Sequence, residues 1–129
     1  MDDVARGTFV IEFRPPQADA DPPGMGRLEF DKTFTGDLVG TSRGAMLSAG
    51  DPSSGSAGYV VVEVVHGHVA GRSGTFALQH SGTMHDGEQH LAITVVPGSG
   101  TGELTGISGG LDLTVDDDGV HHYELSYRV

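Results

Sequence analysis

The sequence predicts an all-β domain, about eight mainly antiparallel strands closed into a barrel. Glycine (21 residues) and proline (6 residues) are spread along the 129-residue chain, leaving few stretches long enough for a helix. Those stretches are rich in Val, Thr, Phe and Tyr and alternate apolar with polar residues at a period of two. They are joined mainly by short turns, which suits an up-and-down barrel whose interior is packed or holds one small ligand. A Greek-key sandwich is the alternative. The length fits one domain over residues 1–129.

The first strand is "GTFVIEF", where Phe9, Ile11 and Phe13 alternate with Thr8, Val10 and Glu12. "PPQADADPPG" from Pro15 then reads as a long connection. In "RLEFDKTF", Leu28, Phe30 and Phe34 share a face with Lys32, which sets a lysine among aromatics. "DLVGTSRGAML" places Leu38, Gly40, Ser42, Gly44 and Met46 together, and the glycines suggest a strongly bent strand. "GDPSSGSAG" from Gly50 to Gly58 reads as a second long, flexible loop.

"YVVVEVVHGHV" from Tyr59 is apolar on both faces, as expected of a strand buried on one side and covered on the other. It forms a hairpin with "TFALQHSGTM" through the turn "GRSG" from Gly71. "HDGE" from His85 is the next hairpin turn, leading into "QHLAITVV". After the glycine-rich "VVPGSGTGELTG", "GGLDLTV" groups Leu111, Leu113 and Val115, and "HHYELSYRV" groups His121, Tyr123, Leu125, Tyr127 and Val129 to the final residue.

Composition narrows the function. The net charge of −11, from 18 acidic against 7 basic residues, repels a polyanion and argues against nucleic-acid binding. The absence of cysteine removes disulfides and thiolate metal sites. "MDDVARG" has no apolar run of leader length, and no run of 18 apolar residues occurs, so the expectation is a soluble cytoplasmic protein without a membrane span. "VVPGSGTGELTG" is not a phosphate cradle. Gly102 is followed by Glu103 and Leu104 rather than Lys and Ser or Thr, and a dinucleotide fingerprint would need glycine at Thr105. It reads as a strand connection. His66 and His68 share a strand face, and His85 and His90 flank a turn, but neither pair has the third ligand of a catalytic zinc, so no metal is expected. Ser99, His80 and an Asp compose a triad only on paper, without the nucleophile elbow.

The candidate site is instead the polar residues on apolar strand faces: Lys32, Glu63 and His80, with Tyr59, Tyr123 and Tyr127 and the neighbouring Phe30 and Ser42. A two-residue turn at Gly71 and Arg72 would put Glu63 opposite His80. A turn shifted by one residue is expected to turn Glu63 outward and bring Val64 opposite His80. Charges that share an interior must form a network, because an unpaired buried charge costs several kcal/mol or changes protonation. Such a network is either a neutralising salt bridge within the core or an acid–base site tuned by burial.

The runs "KTFTGDLVGTSRGAML", "GYVVVEVVHGHVAGRSGTFALQHSGTM", "VVPGSGTGELTGISG" and "HHYELSYRV" resemble a family of small bacterial proteins of unknown function with an allene oxide cyclase-like β-barrel fold, over nearly the whole chain from about Arg6. "GRSGTFALQHSGTM" and "VVPGSGTGEL" carry the resemblance most specifically. It implies the barrel and favours Glu63 facing inward. It also implies that Val64 and His66 replace residues often charged in the family, leaving an unusually apolar outer face that suggests a homodimer. By analogy with the wider fold group, the lumen would hold a small, largely apolar molecule, and the resemblance allows isomerase or cyclase chemistry on it that needs no cofactor. In that reading Glu63 is the base or anion stabiliser, His80 its proton partner, Lys32 the balancing cation, and the tyrosines wall and donors. The alternatives are a barrel that only binds its ligand and a structural module with a filled lumen.

Overall fold

A computed structural model describes residues 2–15 and 21–129. Its eight strands are β1 Asp3–Phe13, β2 Met25–Gly36, β3 Leu38–Asp51, β4 Ser56–Val69, β5 Arg72–His85, β6 Glu88–Val95, β7 Ser108–Val115 and β8 His121–Arg128. Each pairs antiparallel with its sequence neighbour, and β1 pairs with β8, so the sheet closes on itself in up-and-down order. The barrel expected from strand number and short turns is thus the fold, and closure leaves no free sheet edge apart from the β6–β7 seam. Half of the connection from Pro15, residues 16–20, lies outside the described residues.

Two turns depart from expectation. The Gly50–Gly58 segment is no long loop, because β3 and β4 stay paired out to Asp51 with Ser56. A single 3-10 turn, Pro52–Ser54, joins them. The Asp51 side chain accepts from Ser53 N, and Gly55 closes the turn at φ 88°. The composition there is that of a tight turn as much as of a loop.

The β4–β5 turn consists of Ala70 and Gly71, one residue earlier than expected, with φ 48° and 85°. Its two-residue length and left-handed backbone are those of a type I′ hairpin, as in Asp86 and Gly87 between β5 and β6. Glu63 therefore lies opposite Leu78, and Val61 opposite His80. Sliding a two-residue turn by one position moves the pairing by two residues. The side-chain face is preserved, and Glu63 and His80 both point inward as neighbours along the hairpin.

The wall is thinnest between β6 and β7, which share the single pair Thr94 with Gly110. Here "VVPGSGTGELTG" takes the place of a strand. Val96 N donates to Ala77 O (2.9 Å) and Thr101 N to Thr75 O (2.8 Å), while Ala77 N donates to Ser99 Oγ (3.0 Å). Gly74 is required by this approach, since a Cβ there would overlap the Thr101 carbonyl. Leu104 and Ile107 then turn inward and close this end of the barrel, packed with Leu38, Val65, Val69, Phe76, Leu78 and Leu125. The segment is a strand connection, as expected, and also a plug. Strand β8 stops at Arg128, one residue short of the chain end.

Candidate functional site

Beyond the plugged half, the interior changes chemistry. Lys32, Ser42, Glu63 and His80 are the buried polar residues of the described core, contributed by β2, β3, β4 and β5 in turn. The register assembles them. Lys32 is paired with Ser42, and Gly44, two residues further along β3, is paired with Glu63. Gly44 makes room for the cluster, because a Cβ there would come within 2.7 Å of both Glu63 Cβ and Phe30 Cζ. Lys32 thus reaches past β3 to β4.

Glu63 is the centre of this arrangement and is wholly buried. Its Oε1 accepts from Ser42 Oγ at 3.0 Å and its Oε2 from Lys32 Nζ at 2.9 Å. His80 Nε2 also stands 2.8 Å from Oε2. That oxygen lies off the direction in which a ring N–H would point, so the buried nitrogen has close electrostatic contact but no directed hydrogen bond among the described residues. Burial pushes the Glu63 carboxyl up. The adjacent His80 and the Lys32 ammonium outweigh burial and hold it below the ordinary carboxylate range, so it is ionised at neutral pH.

Lys32 is held in turn by two aromatic faces, with Nζ 4.7 Å from the Phe9 centroid and 5.2 Å from that of Phe30. Both are within the roughly 6 Å at which a ring face attracts a cation. Phe9 is a site residue that sequence reasoning missed. Its inward alternation was visible, but only the β1–β2 register, which sets Phe9 beside Phe34 and Ile11 beside Lys32, brings its ring over the ammonium.

The tyrosines part company. Tyr59, four residues before Glu63 on β4, is half-buried, and its ring lies against Gly82, where a Cβ would fall 2.5 Å from the ring. A cleft of about 170 Å³ beside it is lined by Pro52, Met84, Gln89 and Leu91, among others. Tyr123 belongs to the core instead. Its hydroxyl accepts from Leu38 N (2.9 Å) and donates to Thr35 O (2.8 Å), pinning the β2–β3 turn. Burial pushes this phenol up, which keeps it a donor. Tyr127 packs in the same apolar cluster. Tyr123 and Tyr127, expected as ligand donors, thus both lie on β8 in the packed core, and neither is bonded to the Lys32–Glu63–His80 cluster.

Ser99, paired with His80 only on paper, accepts from Ala77 N and donates to Val96 O. His66, His68, His85 and His90 are exposed, and among the described residues no three His, Asp or Glu side chains gather as metal ligands would. No helix among the described residues is long and apolar enough to cross a membrane.

The fold and the buried cluster define a small closed antiparallel barrel, plugged at one end, with one charged network in an otherwise apolar interior. The chain belongs to the DUF3224 family of proteins of unknown function, whose family model matches residues 5–127. It is similar to the crystal structure of a protein of unknown function from that family in Shewanella oneidensis MR-1. The two are 44% identical, the match covers 99% of this chain and 97% of the other, and the TM-score is 0.89. No curated protein matches the chain.

Proposed function

We propose that this barrel binds a small, largely apolar molecule in its lumen, with one polar group of that molecule directed at His80. The observation that carries this reading is the buried His80 Nε2 without a directed hydrogen bond, at the edge of a network whose other members are satisfied. The Glu63 carboxylate 2.8 Å away compensates this ring nitrogen only in part, and a carbonyl or hydroxyl of a ligand would complete its hydrogen bonding. The inward side chains on the unplugged side suit an apolar body. Ile11, Leu28, Met46 and Leu113 are only partly buried, whereas Leu104 and Ile107 seal the opposite end.

A second reading, cofactor-independent isomerisation, rests on the Glu63–His80 contact. Because both Glu63 oxygens are occupied, proton transfer falls to His80. The imidazole takes a proton from one atom of the bound molecule and returns it to another, while the Glu63 carboxylate stabilises the imidazolium and the Lys32 ammonium the negative charge left on the molecule.

Native mass spectrometry of protein purified from its own host tests the binding reading. The expected result is a co-purifying small molecule that a His80→Leu variant of unchanged fold holds at least about tenfold more weakly. A wild-type barrel recovered empty, whose thermal stability no apolar compound in a broad panel raises, would leave the filled-lumen module as the function. Incubation of a recovered ligand in D2O separates the two readings, since binding alone leaves it unlabelled and isomerisation exchanges a C–H hydrogen.

A further inference from the structure

The charges of this chain are distributed unevenly around the barrel. Between Gly44 and His85 only three residues are charged: Glu63 inside, and Asp51 and Arg72 at the ends of β3 and β5 beside their turns. The register sets Val60, Val62 and Val64 of β4 in a row on the outer surface, with Leu47 and Ala45 beside them on β3 and the uncharged Ser81, Gln79 and Ala77 on β5. The three valines are 50%, 56% and 42% exposed. Arg43, at one corner, is already paired with Asp31 at 3.2 Å. The opposite outer surface carries Glu12, Asp112 and Glu124, while Glu29 and Asp31 on β2 flank the face, Glu29 beside Ala45 and Asp31 held by Arg43.

We infer that the outer face of β3, β4 and β5 is where a second copy of this chain docks, β4 against β4 about a two-fold axis near Val62. Two molecules of net charge −11 repel each other in most orientations. The orientation that turns the acidic halves away and brings the uncharged faces together is the one of least repulsion, and it is also the one that buries the valine row. Val60 and Val64 are symmetric about Val62, so a two-fold axis in the plane of the contact and perpendicular to β4 sets Val60 of each copy against Val64 of the other, an isologous contact. Three strands about 4.8 Å apart and about 35 Å long give a face on the order of 500 Å² before side-chain relief, which with flanking loops approaches the ~800 Å² per partner of a stable interface. A lipid surface fits less well, because the face offers no unpaired lysine or arginine to anionic headgroups. This inference is independent of what the lumen holds.

Sedimentation velocity over a micromolar concentration series tests it. The wild-type chain is expected to be a dimer, and Val62→Asp, at an exposed position that leaves the core untouched, to weaken it by at least roughly 100-fold. Val62→Lys should weaken it as well, since burial rather than charge sign matters. Val10→Asp, on the exposed outer side of β1, should leave it intact. Added salt should tighten the dimer by screening the acidic halves. A wild-type monomer at every concentration overturns the inference, whether or not it binds lipid vesicles. So does a dimer that dissociates with salt, or one that survives Val62→Asp with its circular dichroism unchanged.

Discussion

Removing the Lys32 ammonium alone leaves the Glu63 carboxylate buried with Ser42 as its only directed donor and His80 nearby. Breaking a buried pair in this way costs about 3–5 kcal/mol, because an uncompensated charge stays in the interior. Replacing both partners removes the charge altogether, and such exchanges are often neutral or stabilising by about 1–4 kcal/mol. Lys32→Met is therefore expected to lower the urea midpoint sharply, and Lys32→Met with Glu63→Leu to restore most of it. Failure of the double variant to recover would show that the interior needs a polar group there for packing. The three titratable candidates were legible from sequence because Lys, Glu and His interrupt apolar faces. Phe9 was not, since an inward phenylalanine is ordinary in a core and only its distance to Nζ makes it a partner of the cation.

At the level of elements, the β4–β5 hairpin shows how much rests on two residues. Ala70 sits at φ 48°, a left-handed conformation that costs an alanine roughly 1 kcal/mol and glycine much less. Ala70→Gly is expected to raise stability by about 0.5–1 kcal/mol, measured as a higher thermal midpoint. The equivalent exchange at Gly71, also at positive φ, should lower it. The sequence placed this turn one residue late because "GRSG" holds two glycines and either can supply a positive φ. Loop length rather than loop position decides the face, so the inward direction of Glu63 survived the error while its partner changed from His80 to Leu78.

Over the whole molecule, acidification sets two effects against each other. As pH falls toward the isoelectric point near 4.7, the net charge of −11 shrinks and self-repulsion with it, so stability holds or rises slightly. Glu63 acts in the other direction. Its carboxyl is held below the ordinary value of 4.5, so the unfolded chain takes up its proton first. The stability it contributes is complete above about pH 4.5 and is lost as pH falls through the folded value. The acid limb of a pH–stability curve should thus fall below pH 4.5, more shallowly in Glu63→Gln, as followed by urea unfolding at each pH. Equal slopes in the two proteins would mean that other carboxylates dominate.

The sequence by itself determined the all-β class, the number of strands and the polar residues on their apolar faces, and it favoured a barrel over a sandwich. Period-two alternation and short turns are local properties that every strand carries within itself. Tertiary structure alone decided which polar residues meet. Lys32 and Glu63 are separated by 31 positions and approach to 2.9 Å only because two consecutive registers, β2 with β3 and β3 with β4, align and Gly44 leaves the gap. Tyr123 and Tyr127 alternate inward like Tyr59, yet closure of β8 onto β1 commits them to the core. Likewise the valine row on β4 is visible in sequence, whereas the uncharged surface around it exists only once β3 and β5 are laid beside it.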